Sequence, residues 1–313
     1  MSPESADWTI GKLIEWTRGF FEKKGIPQPR LEAEILLAHV LGIERIDLYM
    51  RYEQPVSEAQ RTAFRDLVRR RAEREPTRYL TGGCEFMSLA MKVTPACLIP
   101  RPETERLVEE VLRLAGVPRR QPAVAQGTGS AASGVPSPIS VIDLCTGCGC
   151  IAVSLAVYLP HGRVTATDIS AEALDVAGIN AEAHGVADRM TLLLGDLYEP
   201  LDAADVQPAD FLVANPPYVP EADWAGLEPE IREHEPRTAL VSGPAGTEIV
   251  ERILKGAPAY LRPGGTLLVE IGSEQGAAAA GQAAAVRGLV DVQIIKDYAS
   301  LDRILLARRE MKE

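Results

Sequence analysis

The chain has 313 residues, of which 46% are apolar and 25% charged, so it can bury the cores of two domains. A formal net charge of −11 argues against a protein that attracts nucleic acid through a net positive electrostatic field, and no direct DNA binding is expected. No apolar run reaches the ~18 residues of a membrane span, and neither the acidic N-terminus nor the five cysteines suit a secreted protein, which predicts a cytoplasmic protein without membrane contact.

Residues 1–78 have a helical pattern, and we predict that they form a small all-α domain. The stretch RLEAEILLAHVLG (30–42) places Leu31, Ile35, Ala38 and Leu41 near one face of a helix. Ser57 is suited to cap the next helix. The outer face of that helix carries six arginines: Arg61, Arg65, Arg69, Arg70, Arg71 and Arg74. This face is either a solvated surface or a docking surface for an anionic partner.

A β-hairpin linker is predicted for residues 79–100, around Gly82 and Gly83. Residues 101–313 then form the second domain, which opens with a helix over 101–114. Residues 117–138 are rich in Pro, Gly, Ser and Ala without a periodic pattern, which is typical of a flexible loop.

After that loop, strands and helices alternate. The predicted strands cover 139–143, 164–168, 190–194, 211–214, 266–270, 292–296 and 303–306. Strands separated by crossover helices indicate an α/β fold with a mostly parallel, doubly wound, seven-stranded sheet. Ligands bind such sheets at the carboxyl ends of the strands.

A glycine loop follows the first of these strands, in VIDLCTGCGCIAV (141–153). Gly147 and Gly149 allow a ligand to approach the backbone closely, and the next helix points its N–H groups at that ligand. Asp168 ends the next strand, where a ribose-binding acid belongs. This pattern alone fits both a nicotinamide cofactor and S-adenosylmethionine.

Two details favour S-adenosylmethionine. Asp143 is placed to reach the methionine ammonium directly or through water, whereas a pyrophosphate would gain nothing from that negative charge. Gly195, Asp196 and Leu197 follow the third strand. There, Asp196 is expected near the adenine amino group and Leu197 against the face of the ring.

The stretch FLVANPPYVP (211–220) ends the fourth strand with few backbone donors. Pro216 and Pro217 lack N–H groups and stiffen the loop, which leaves carbonyl acceptors. Asn215 adds an amide oxygen and Tyr218 a flat aromatic face. This combination predicts a receptor that fixes a planar –NH₂ group, so that its nitrogen can accept a methyl group.

The cysteines of the glycine loop suggest two further interpretations, a metal cluster or a redox pair of Cys145 and Cys148. A closed zinc site needs four ligands, and Cys84 and Cys97 lie far upstream of Cys145, Cys148 and Cys150. The histidines are scattered along the chain. We therefore predict no metal, and the redox pair stays a minor alternative.

In this position, NPPY resembles methyltransferases that act on amide or exocyclic amino nitrogens, including DNA adenine and cytosine enzymes. Three further features resemble the release-factor glutamine methyltransferases, which belong to the class I S-adenosylmethionine-dependent enzymes. These features are the Arg-rich helical region followed by RYLTGGCEFMSLAMKVTPACLIPRPETE, the segment EPRTALVSGPAGTEI, and the ending DYASLDRILLARR. The similarity covers roughly residues 10–309 apart from the 117–138 loop.

The resemblance implies N-methylation of the glutamine in the Gly-Gly-Gln motif of class I peptide release factors. S-adenosylmethionine would be the donor, S-adenosylhomocysteine the product, and the helical domain the substrate-recognition domain. The implied cofactor contacts are Cys145, Thr146, Gly147, Cys148, Gly149, Asp168 and Leu197, with Asn215 nearby. Asn215, Pro216, Pro217 and Tyr218 would hold the glutamine amide. The sequence departs from the family pattern at Cys145, Cys148 and Leu197.

Three other functions remain open at this point. A nucleic-acid adenine or cytosine amino methyltransferase would need a basic channel and a target-recognition region, which the net charge does not favour. A non-catalytic S-adenosylmethionine-binding module would not need the NPPY loop. A nicotinamide-dependent dehydrogenase would use the same glycine loop.

Overall fold

A computed structural model of the protein describes residues 8–117 and 138–311. The chain divides into two compact units, of which unit 1 comprises Met1–Gly83 and Glu228–His234, and unit 2 comprises Cys84–Leu227 and Glu235–Glu313. The loop predicted for 117–138 lies, apart from its end residues, outside the described residues. Within the described part of the chain, no helix is long and apolar enough to cross a membrane.

Unit 1 is helical. Its helices are α1 (Ile10–Lys23), α2 (Pro29–Leu41), α3 (Arg45–Met50), α4 (Glu58–Ala72), α5 (Thr77–Thr81) and, from later in the chain, α10 (Pro229–His234). Ser57 caps α4 as predicted, and Gln60 completes a capping box with it.

The buried face of α2 differs in part from the predicted face. Ala38 is buried as predicted, but Ala33, Leu36 and Leu37 form the rest of the core, whereas Leu31, Ile35 and Leu41 are only half-buried. The helix packs against both α1 and α4, and the residues directed between these two neighbours become the core. The hydrophobic periodicity predicted the helix, but it did not show which side of α2 faces its neighbours.

The arginines of α4 do not form one free basic surface. Arg71 is 5% exposed and lies inside unit 1, where it pairs with Glu32 at 2.9 Å and with Glu230 of α10 at 3.3 Å. Surface members of the set are paired too, for example Arg69 with Asp66 at 2.6 Å. This pairing favours a solvated, neutralised face over a docking surface. Charge reversal at Arg71 would therefore test folding rather than docking.

Unit 2 contains a large mixed sheet. Its strands are β3 (Ser140–Leu144), β4 (Arg163–Asp168), β5 (Met190–Leu194), β6 (Ala209–Ala214), β9 (Leu261–Glu270), β10 (Leu289–Lys296) and β11 (Asp302–Arg309). Within the described residues, these seven strands follow the order β10-β11-β9-β6-β3-β4-β5. β11 is antiparallel to both its neighbours, and the pairs from β9 to β5 are parallel. The predicted seven-stranded, mostly parallel sheet is thus confirmed.

Helices cover both faces of this sheet. They are α6 (Glu105–Leu114), α7 (Cys150–Tyr158), α8 (Ala171–Ala183), α9 (Glu199–Ala203), α11 (Glu248–Tyr260) and α12 (Gly276–Ala284). Successive strand residues enter opposite cores: Val141 packs in the core that contains Leu107 and Val111, and Ile142 in the core that contains Ile253. The doubly wound architecture follows from this alternation.

Short elements were harder to predict. The hairpin consists of β1 (Gly83–Phe86) and β2 (Leu89–Lys92), and α5 runs to Thr81, past the predicted start of the linker at residue 79. A small parallel pair, β7 (Val219–Pro220) and β8 (Val241–Gly243), was not expected. Strands of two or three residues are too short to carry a periodic signal.

Candidate functional site

The loops after β3, β4, β5 and β6 surround one cavity in unit 2. It encloses about 280 Å³, near the lower end of the roughly 300–1,000 Å³ typical of ligand pockets. The predicted residues that line it are Cys145, Thr146, Gly147, Cys148, Asp168, Asp196, Leu197, Asn215 and Pro217. The structure thus brings most of the predicted glycine-loop, acidic and NPPY positions to one place, as expected at the carboxyl ends of parallel strands.

The glycine loop turns sharply between β3 and α7. Gly147 and Gly149 have φ values of +55° and +78°, and Cys145 adopts +59° without being glycine. A Cβ at Gly149 would lie 2.9 Å from the Cβ of Ala177 on α8, so this glycine allows the helices to pack closely. Gly149 is the N-cap of α7 and acts through packing, while Gly147 lines the cavity.

Asp143 ends up behind the cavity rather than in its wall. It is fully buried, and its Oδ2 accepts a hydrogen bond from the Thr146 hydroxyl at 2.6 Å. Oδ1 has no hydrogen-bond partner among the described residues. Burial raises the pKa of Asp143 to about 7, and the nearby Asp168 acts in the same direction. The carboxyl therefore contacts the cavity wall only through Thr146, which lines the cavity.

Asp168 stands at the end of β4 and faces the cavity. Its Oδ2 accepts from the Gly147 N–H at 2.8 Å and its Oδ1 from the Ser170 N–H at 3.0 Å. Burial raises the pKa of Asp168, and these backbone donors oppose that shift. Each carboxylate oxygen retains a lone pair, so the group can still accept hydrogen bonds from a diol.

Asp196 and Leu197 form another part of the wall. Asp196 is half-exposed and pairs with Arg252 at 2.7 Å, which partly neutralises it. Leu197 is 5% exposed, and its carbonyl accepts from the buried Thr167 hydroxyl at 3.1 Å. The two residues thus offer one polar and one apolar contact side by side.

The NPPY loop contributes Asn215 and Pro217 to the cavity, whereas Pro216 is buried beside it. Asn215 Nδ2 donates to Thr104 Oγ1 at 3.2 Å, and Thr104 lines the same cavity. Sequence reasoning missed Thr104. The available signal was its place in RPETE, a segment that opens a helix and forms part of the resemblance to the release-factor glutamine methyltransferases.

Tyr218 lies outside the cavity wall and supports the loop. Its hydroxyl points to Glu270 Oε1 at 3.4 Å, and burial raises the pKa of Tyr218 to about 12. The Tyr218 carbonyl accepts from Gln275 Nε2 at 2.9 Å. Gly246 has a φ of +76°, and a Cβ there would lie 2.6 Å from the Tyr218 carbonyl oxygen. A glycine is therefore required behind the loop.

Glu235 joins two segments that lie far apart in the sequence. Its side chain is 2% exposed; Oε1 accepts from Arg101 at 2.6 Å and Oε2 from the Ile99 N–H at 3.3 Å. This ties the IPRPETE segment to EPRTA and fixes the chain just before Thr104.

The thiols near the cavity are poor ligands and nucleophiles. A hydrogen bond with Cys148 raises the pKa of Cys97, and burial raises that of Cys145, so both stay protonated at neutral pH. The neighbouring thiol of Cys150, together with burial, also raises the pKa of Cys148. Across residues 8–117 and 138–311, no group of three or more His, Cys, Asp or Glu side chains is placed to hold a metal ion.

Two family models match the chain. The PrmC N-terminal domain matches residues 12–82, and the methyltransferase small domain matches residues 123–226.

Full-length relatives match almost end to end. The chain is 41% identical to the release factor glutamine methyltransferase of Geobacter sulfurreducens over 308 residues, which cover 98% of this chain and 99% of that protein. It is 44% identical to the protein of the same name from Chlorobaculum tepidum, with 96% and 97% of the two chains covered. The corresponding Rhodopirellula baltica protein is also 44% identical, over 95% of both chains.

Solved structures support the fold. The catalytic domain of human Mettl16, in complex with an RNA hairpin, matches with a TM-score of 0.54 and 18% identity, covering 79% of this chain and 83% of that one. At this identity the likeness concerns the methyltransferase fold and carries no information about the substrate.

Proposed function

Because the chain belongs to the release factor glutamine methyltransferase family, we propose that it transfers a methyl group from S-adenosylmethionine to a release-factor glutamine. The acceptor is the side-chain amide nitrogen of the glutamine in the Gly-Gly-Gln motif of class I peptide release factors. The observation that carries this proposal is the meeting of Asn215 with the glycine loop and Asp168 around one cavity.

The residues of the cavity fit S-adenosylmethionine. The Asp168 carboxylate suits a ribose diol, Leu197 suits the face of an adenine, and Asp196 suits its amino group. Asp143, which has a buried carboxyl oxygen without a partner within the described residues, adds negative potential beneath Thr146 when it is ionised, and this potential favours an ammonium. When bound, the cofactor supplies a methyl group on a positively charged sulfur.

The NPPY loop suits the acceptor amide. The oxygen of Asn215 and a proline carbonyl of the loop take the two N–H bonds, while the prolines, in a loop that Tyr218 supports from outside the cavity wall, restrict the plane of the amide. This geometry keeps electron density on the nitrogen and directs it to the methyl carbon. Transfer would exchange the carbon–sulfur bond of the donor for a carbon–nitrogen bond on the glutamine, with the bonding electrons left on sulfur and S-adenosylhomocysteine as the product. The amide proton then leaves to solvent.

The same proposal covers partner and location. The helical residues matched by the PrmC N-terminal domain are the proposed recognition domain for the release factor. Modification of a release factor would connect the protein to translation termination, which takes place in the cytoplasm.

A methyl-transfer assay tests the proposal. The purified chain, S-adenosylmethionine and class I release factors from the same organism should yield a release factor heavier by one methyl group, located by mass spectrometry on the Gly-Gly-Gln glutamine. Release factors with that glutamine replaced by alanine, duplex DNA and RNA serve as controls. Methylation of DNA or RNA, with unmodified release factor, would overturn the proposed substrate.

Replacing Asp168 tests the proposed cofactor site. We expect Asp168→Ala to weaken S-adenosylmethionine binding ~10–100-fold, because it removes charge-assisted hydrogen bonds and the acceptor that holds the Gly147 N–H. Isothermal titration calorimetry measures the change. Asp175→Ala removes the same charge from an exposed position on α8 and should bind as the wild type does. Equal affinity of both variants would contradict the assignment.

A further inference from the structure

Asn215 is held from behind by a chain of side chains that begins at Glu270, the last residue of β9. Asn215 Nδ2 donates to Thr104 Oγ1 at 3.2 Å, and the Thr104 hydroxyl lies close enough to the Glu270 carboxyl to lower the pKa of Glu270. Thr104 and Asn215 line the cavity, and Glu270, 1% exposed, lies beneath them. A buried carboxyl is thus connected to the proposed amide-binding group through one hydroxyl.

Glu270, like Asp143, is a buried carboxyl of this unit without a close ionic partner among the described residues. Its Oε1 receives the long 3.4 Å contact from the Tyr218 hydroxyl, and its Oε2 has no hydrogen-bond partner within the described residues. Arg303 of β11 favours the charged form from a distance, but it already pairs with Asp297 at 3.2 Å. Burying a carboxyl with so few partners costs folding free energy, so we expect Glu270 to have a role beyond packing.

The donors and acceptors of these three side chains give the series of hydrogen bonds a direction. An ionised carboxylate can only accept hydrogen bonds, and a threonine hydroxyl has one proton to give. If Thr104 gives that proton to Glu270, its oxygen must accept from Asn215, which therefore turns its NH₂ group to Thr104. The amide oxygen of Asn215 is then left to accept from a substrate N–H.

We propose that Glu270 is a positioning residue, which through Thr104 fixes the orientation of the Asn215 amide so that its oxygen faces the substrate. This inference rests on the proposed function, since it assigns the acceptor that the glutamine amide needs. It adds Glu270 and Thr104 to the residues on which transfer depends.

Protonation of Glu270 reverses the direction of these hydrogen bonds. A neutral carboxyl donates to Thr104, the Thr104 proton becomes available to Asn215, and the amide turns its NH₂ group toward the substrate NH₂. Burial raises the pKa of Glu270 to about 7, and Glu103 raises it too, while Thr104, Arg303 and Tyr218 act in the opposite direction. The active, ionised form is therefore lost as the pH falls through about 7.

Four variants test this role with kcat measured at saturating S-adenosylmethionine and release factor. Glu270→Gln and Thr104→Val should each lower kcat roughly tenfold, the effect of one lost hydrogen bond, with the affinity for S-adenosylmethionine unchanged. Thr104→Ser keeps the hydroxyl and should restore activity. The double variant Glu270→Gln/Thr104→Val should lose no more than either single variant, because both interrupt one chain.

The pH dependence of kcat provides a second readout, because it would not change in the Glu270 variant if Glu270 had a purely structural role. In the wild type, kcat should rise between about pH 6 and 8 as Glu270 ionises, and this rise should be absent in Glu270→Gln. Asp143 also has a raised pKa, but it lies at the proposed cofactor site, so at saturating S-adenosylmethionine its titration should not change kcat in either protein.

Additive losses in the double variant, or an unchanged pH rise in Glu270→Gln, would overturn the inference while leaving the proposed function intact. A wild-type protein that transfers no methyl group to the release factor at any pH would instead reject the proposed function, and this inference with it.

Discussion

An Asn215→Ala variant is expected to lose methyl transfer, with kcat lowered ~10²–10³-fold, while it binds S-adenosylmethionine nearly as well as the wild type. The variant removes the amide oxygen that is proposed to accept a substrate N–H, and it leaves the Thr104 hydroxyl without its donor. Loss of one pre-organised hydrogen-bonding group at a reacting centre has a cost of this size.

Single-turnover rates with release factor and calorimetry with S-adenosylmethionine separate the two effects. Gln207→Ala removes an exposed amide from the same unit and should behave as the wild type in both measurements. An Asn215→Ala protein that transfers methyl groups at the wild-type rate would contradict the amide-binding role of the NPPY loop.

The sequence predicted the parts of the site that are encoded locally. Apolar runs gave the strands, and the residues just after them, such as Asp168 and Asn215, reach the cavity because parallel strands end at one edge of the sheet. The resemblance carried the family assignment, and the full-length relatives confirm it. These features require no knowledge of side-chain contacts between distant segments.

What the sequence could not give depends on such contacts. Thr104 lies 111 residues from Asn215, and Glu235 lies 134 residues from Arg101, so only the folded chain brings each pair together. Asp143 was expected to reach the ligand directly or through water, and the structure places it behind Thr146, outside the residues that line the cavity. Arg71 belonged to a surface pattern and is buried, because acidic residues from α2 and α10 surround it.

Gly246 illustrates how a distant position can control the site. We expect Gly246→Ala to lower kcat ~100-fold, because its Cβ would lie 2.6 Å from the Tyr218 carbonyl oxygen and 2.9 Å from the Pro220 nitrogen. Both are backbone atoms of the loop that follows Asn215 and cannot move aside by a side-chain rotation. A displacement of about 1 Å in groups that position a substrate can cost 10²-fold in rate.

Gly185→Ala is the matched control for that variant. Gly185 has a φ of +65°, and a Cβ there has no neighbour within 4 Å in the described part of the chain, so this variant carries the left-handed backbone cost of about 1–2 kcal/mol without a clash. Thermal unfolding should show both variants destabilised, but only Gly246→Ala should lose kcat, with S-adenosylmethionine affinity retained. Equal kcat in the two variants would mean that the loop tolerates displacement, and positioning by the NPPY backbone would then be excluded as the basis of catalysis.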